Sequence, residues 1–264
     1  MLSQAYMQNA FLASGAIAVL TGVVGIFVVL RANSFAAHAL AQISFAGAAG
    51  AVLLRLEPLW GLIAFALAGA AGLGVLSVGG ARRDAATALV MTAALGTGAL
   101  FLVLNNTYAT SVFSLLFGSI VGISRSAVAG TAVLALITLA MLGALFRPML
   151  FATVNLEGAR ARGVPLTRLN SAFLVCLALA AAATIPIVGS LLVFALLVAP
   201  PAAATLLAKN PLQAVVLAVV LNLTCSWGGI VIAYYTTLPV GFIISVLAAS
   251  TYLAARVYNE RVRA

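Results

Sequence analysis

The chain has 264 residues, 65% of them hydrophobic and 6% charged, with a net charge of +9 and a mean hydropathy of +1.24. A soluble domain is about 25% charged, so a soluble fold is excluded, and with it the nucleic-acid partner that a basic excess would otherwise suggest. The cations flank apolar runs, where they set membrane topology and meet anionic lipid.

A bilayer core about 30 Å thick takes roughly 20 apolar residues per helical crossing. Runs of that kind fall at 9–30, 34–54, 59–78, 86–104, 127–146, 169–185, 188–208, 212–235 and 240–257. The composition and these runs define an all-α polytopic membrane protein, a single transmembrane domain over 1–264 built as a bundle of eight or nine helices. No basic stretch precedes the first run and no small-residue cleavage site stands out, so a removable signal peptide is not expected. Nine crossings put the termini on opposite sides. With the N-terminus outside, Arg31, Arg82, Arg83, Arg147, Arg160, Arg162, Arg168, Lys209, Arg256, Arg261 and Arg263 lie inside, and only Arg55 and Arg125 lie outside. That bias is the one expected of cytoplasmic loops.

In chain order, the second run carries Ala and Gly at four-residue spacing (AAHALAQISFAGAAGA, 36–51), the pattern that lets membrane helices approach closely. It is expected to be central. It also holds His38, the only histidine, four residues before Gln42, so both face one side of one helix. A polar residue within a span is a functional-site candidate, and imidazole is the commonest side-chain ligand of transition metals. A plain interhelical hydrogen bond is the structural alternative. An amide oxygen is a weaker donor than imidazole, which is compatible with a path where binding must stay loose enough for release.

The connection 105–126 is long and moderately apolar and suits a short amphipathic or re-entrant helix on the outer side. The gap 147–168 (RPMLFATVNLEGARARGVPLTR) is the longest polar segment. Asn155 is placed to cap a short helix over 156–161, with Glu157 in its first turn and Gly163 to end it. Such a helix suits docking to a soluble partner; an ordinary solvated loop is the plainer alternative. The stretch 184–204 (TIPIVGSLLVFALLVAPPAAA) has Pro186 and Gly189 at one end and Pro200–Pro201 at the other. Proline removes a helix donor and clashes with the previous turn, so a distorted helix or two half-helices are expected, with Gly189, Pro200 and Pro201 as pathway or gate residues.

Cys176 and Cys225 lie inside apolar runs, as packing residues do. No phosphate-binding loop, Ser/His/Asp set or paired carboxylates are present, so the chain reads as a transport subunit rather than an enzyme. The four acidic residues Glu57, Asp84, Glu157 and Glu260 all sit at loop ends or termini. An ion-driven pump usually carries a carboxylate within the membrane, so the energy for active transport is expected from another chain.

Five stretches together resemble the membrane permease subunits of ABC importers for zinc, manganese or iron: GIFVVLRANSFAAHALAQISFAGAAGAVLL (25–54), SLLFGSIVGIS (114–124), LEGARARGVP (156–165), VGSLLVFALLVAPPAAA (188–204) and LPVGFIIS (238–245). The third and fourth, in this order and spacing, are the most specific. Many members of that family carry Asp and His, or two His, at two ligand positions. The resemblance places these on His38 and Gln42, so Gln42 stands where a histidine is usual. It further implies a homodimer in the cytoplasmic membrane and a cytoplasmic ATPase docked on each 147–168 segment through Asn155, Leu156, Glu157, Gly158, Ala159, Arg160 and Gly163. An extracytoplasmic binding protein would deliver a divalent metal ion, carried as substrate with no permanent cofactor. A permease for metal chelates or cobalamin-like molecules, or a non-transporting membrane assembly subunit, are the alternatives.

Overall fold

The computed structural model describes residues 4–76, 83–104, 116, 118, 123–236 and 238–263. Ten helices are present among them: α1 (Ala5–Leu30), α2 (Ser34–Leu53), α3 (Pro58–Leu76), α4 (Arg83–Leu104), α5 (Arg125–Val154), α6 (Leu156–Ala161), α7 (Leu166–Val188), α8 (Ser190–Leu207), α9 (Pro211–Tyr235) and α10 (Val240–Arg263). All but the six-residue α6 are long and apolar enough to cross a membrane. The count among the described residues is therefore nine, not eight. Most of the connection 105–126, with the short helix expected there, lies outside the described residues.

Burial separates an inner set from an outer one. α2 is the most enclosed candidate span, with 83% of its apolar window buried against 11% for α4. The expectation that the Ala/Gly-rich helix is central therefore holds. α2 packs on α3, α4, α7 and α8, while α1 packs on α5, α7, α8 and α9. With no hydrophobic drive between helices inside lipid, close packing at small residues does this work. At the α2–α3 crossing a Cβ built on Gly47 would stand 2.2 Å from the Gly61 carbonyl oxygen, and one on Gly61 would stand 2.1 Å from the Gly47 oxygen. The two backbones touch. Gly22 of α1 lies similarly against the Val219 backbone of α9.

At its C-terminal end α1 is pinned to α7 and α5. Phe27 meets the ring of Phe146 at 5.3 Å and that of Phe173 at 6.4 Å. Arg31 lies 5.6 Å over Phe173 and donates from Nη2 to Asn170 Oδ1 at 3.3 Å. At the other end Asn9 donates to the Ile123 carbonyl just before α5, and Trp227 of α9 donates from its indole to the Phe11 carbonyl.

Two boundaries differ from the sequence expectation. The run expected to stop at 146 continues as helix through Arg147 and Pro148 to Val154. At 1.5 Å per residue the 30-residue α5 is about 45 Å long, well beyond a hydrocarbon core of about 30 Å. Helix hydrogen bonding does not stop where hydropathy falls, so Arg147 sits within the last turns of α5 rather than after its end. The second difference corrects the reading of 184–204. Its only break is at Gly189; α7 runs through Pro186 and α8 runs unbroken through Pro200 and Pro201.

Candidate functional site

Two regions hold the residues singled out from the sequence, and the structure keeps them on different elements. One is the contact of α2 with α8. The other is the segment between α5 and α7.

His38 is half-buried on α2, and its ring meets Phe194 of α8 edge-on at 5.2 Å. The Nδ1 atom is buried and has no hydrogen-bond partner. Gln42, one turn further on, is buried at 6% exposure. Ser190, the first residue of α8, is fully buried with an unpartnered Oγ, and it lies one turn before Phe194. Buried polar groups are normally hydrogen-bonded; an imidazole nitrogen and a hydroxyl left open on the two facing helices are positions that a passing polar solute or cation would complete. Among the described residues no cluster of three or more His, Cys, Asp or Glu exists. The site offers one imidazole and neutral oxygen donors, a set suited to transient rather than permanent binding.

The joint that starts α8 explains where that helix begins. Gly189 has φ 82° and ψ 156°, a region only glycine occupies without strain. Its N–H still closes on the Ile185 carbonyl, while its own carbonyl accepts from the first turn of α8. Gly118, from the stretch 114–124, lies against this joint: a Cβ there would stand 2.3 Å from the Ile187 carbonyl oxygen.

Pro200 and Pro201 leave α8 intact because neighbours take over what they remove. A proline at i leaves the carbonyl of i−4 without its helical donor, which frees the oxygens of Leu196 and Leu197. Asn222 of α9 donates from Nδ2 to the Leu196 carbonyl at 3.2 Å and to Thr21 Oγ1 of α1 at 3.2 Å. Thr21 in turn donates to the Ile17 carbonyl at 2.7 Å. The Leu197 carbonyl faces Gly25 of α1 so closely that a Cβ there would stand 2.5 Å from it. Sequence reading passed over Asn222, Thr21, Ser190 and Phe194. Asn222 did carry a signal, as an amide in the middle of the apolar run 212–235.

The second region forms as the sequence implies. Asn155 Oδ1 accepts from the Gly158 N–H at 2.7 Å and caps α6. Gly163, at φ 70°, ends it: its N–H reaches the Arg160 carbonyl, and the Val164 N–H reaches that of Ala159. This paired closure is the Schellman motif. A Cβ on Gly158 would stand 2.8 Å from Asn155 Nδ2, so a side chain there would push on the capping amide. Ala159 is fully buried, and Arg162 lies 5.4 Å over Phe151. The outward face presents Val154, Leu156, Glu157 and Arg160, all exposed. An apolar pair thus stands beside two opposite charges just past the end of the 30-residue α5.

Nine apolar helices among the described residues, with a capped polar helix between the fifth and sixth, define a multi-pass membrane protein. Residues 3–259 match the ABC 3 transport family, and the chain belongs to it. It is 26% identical to the "Manganese transport system membrane protein MntC" of Halalkalibacterium halodurans, over 96% of this chain and 87% of that one. It is 30% identical to the "Probable metal transport system membrane protein" of Treponema pallidum, over 96% of this chain and 97% of that one. Among solved structures, a chain of PsaBC from Streptococcus pneumoniae in complex with Fab superimposes with a TM-score of 0.86 at 25% identity, over 96% of this chain and 91% of that one. Family membership sets aside the reading as a non-transporting assembly subunit.

Proposed function

We propose that this permease is the membrane subunit of an ATP-driven importer of divalent transition-metal ions, zinc, manganese or iron, in the cytoplasmic membrane. The observation that carries the reading is the open Nδ1 of the chain's only histidine, on the most enclosed helix of a family member. An imidazole with amide and hydroxyl oxygens leans towards manganese in donor type, in keeping with the similarity to a manganese transport system membrane protein. The N-terminus is outside and the C-terminus inside, as the cation distribution requires. A cytoplasmic ATPase docks on the Val154, Leu156, Glu157 and Arg160 face of α6, and its hydrolysis cycle drives alternating exposure of the α2–α8 contact. A binding protein delivers the ion from outside, and two copies of the chain form the path.

Accumulation of manganese, zinc and iron in cells lacking the chain, each metal limiting in turn, tests the reading. Uptake of one metal falls and returns on complementation. Unchanged content of all three metals under limitation refutes it.

A further inference from the structure

The two prolines of α8 strip consecutive carbonyls in the middle of a buried helix, and each is met by a different neighbour. Leu197 O lies against Gly25 of α1. Leu196 O meets a true donor, the Asn222 amide. Asn222 and Thr21 are each 0% exposed. In an apolar interior an unsatisfied carbonyl is costly, and prolines are tolerated in membrane helices where neighbouring side chains re-satisfy the freed groups. The Asn222 Nδ2 group carries two bonds at once, one to α8 and one to α1, and thereby joins three helices at one level. α8 is the helix that brings Phe194 against His38 of α2, with Ser190 one turn before it.

We propose that Asn222 is a positioning residue of the transport site: it substitutes for the helical N–H that Pro200 lacks, locks α8 onto α1 and α9, and so fixes Ser190 and Phe194 relative to His38. The Asn222 Nδ2 group acts through Leu196, while its Oδ1 is buried without a partner. The link to metal flux rests on the transport reading above, whereas the link to helix position does not.

The specific consequence is a rescue. Asn222→Leu keeps the number and branching of side-chain heavy atoms and removes the donor. In the native background Leu196 O is then orphaned and α8 loosens. In a Pro200→Ala background the introduced N–H serves Leu196 O within the helix, and the same Asn222→Leu change leaves it satisfied. Helix position is read from the Ser190→Cys variant, with Cys176→Ala and Cys225→Ala, by the rate at which its thiol takes a maleimide in purified, folded protein. Asn222→Leu raises that rate about fivefold, the population factor of one net hydrogen bond. With Pro200→Ala present the added effect of Asn222→Leu drops below about twofold. If Asn222→Leu fails to fold, folding yield takes the place of labelling, and recovery of yield in the Pro200→Ala background supports the assignment. Equal effects of Asn222→Leu in the two backgrounds, on labelling or on yield, overturn it, because a packing role for Asn222 would not depend on residue 200. Manganese uptake per folded transporter follows the labelling pattern. A wild-type chain that imports no metal would refute the transport reading while the labelling comparison still decides the role of Asn222.

Discussion

The α2–α3 crossing makes a sharp demand on Gly47. An alanine Cβ there would lie 2.2 Å from the Gly61 carbonyl oxygen and 2.5 Å from Phe65 Cβ. Carbon–oxygen contacts settle at about 3.3–3.6 Å even when they are favourable, so the helices must part by roughly 1 Å. The obstacle is backbone, and no rotamer relieves it. Overpacking of this kind costs about 1–3 kcal/mol, and the gain of alanine over glycine in a helix returns about 0.5–1 kcal/mol. A net loss near 1 kcal/mol lowers Tm by roughly 2–4 °C for a chain of this size. Gly61→Ala meets the same contact from the other side and should match it. The double variant should cost less than the sum, because the first substitution has already parted the helices. Gly72 lies on α3 as well, with nothing within 4 Å of a built Cβ, so Gly72→Ala should be neutral or slightly stabilising. Thermal unfolding of the purified permease in one detergent measures all four. Equal Tm shifts for Gly47→Ala and Gly72→Ala would refute the packing argument.

Three further outcomes are expected. Asn155→Ala removes a cap worth about 1 kcal/mol from the short α6, and Gly158→Ala crowds the same cap. Both, like Glu157→Lys, should reduce co-purification of the ATPase with little change in overall Tm, whereas Asn155→Ser should retain it; unchanged co-purification in all of them removes α6 from the docking surface. His38→Ala should cut metal uptake per folded transporter, and Gln42→His should tighten binding while slowing release, since imidazole is the stronger donor towards zinc and its neighbours. Uptake that falls only in proportion to protein yield assigns His38 to structure. In a background lacking Cys176 and Cys225, an Arg160→Cys variant should react with a membrane-impermeant thiol reagent only in opened or inverted membranes, and labelling in intact cells reverses the topology.

Local chemistry was readable from the chain, and contacts between helices were not. Length and hydropathy alone place nine spans, because a segment that must satisfy its backbone within lipid has little choice but helix. The α6 cap and stop were equally legible: Asn155, Gly158 and Gly163 act within nine residues of one another. The errors arose where the deciding partner sits far along the chain. Pro200–Pro201 read as a break because their orphaned carbonyls are met by Asn222 and Gly25, which belong to α9 and α1. The end of α5 was set eight residues early because hydropathy marks the bilayer edge and not the end of a helix. His38 stands out as the lone imidazole, but its neighbour Phe194 belongs to α8, which starts at the Gly189 joint. Sequence fixes which groups can bind or bend, since that depends on residue type and near neighbours; which of them meet depends on helix–helix packing, where a carbonyl on one helix finds its partner on another more than twenty residues away.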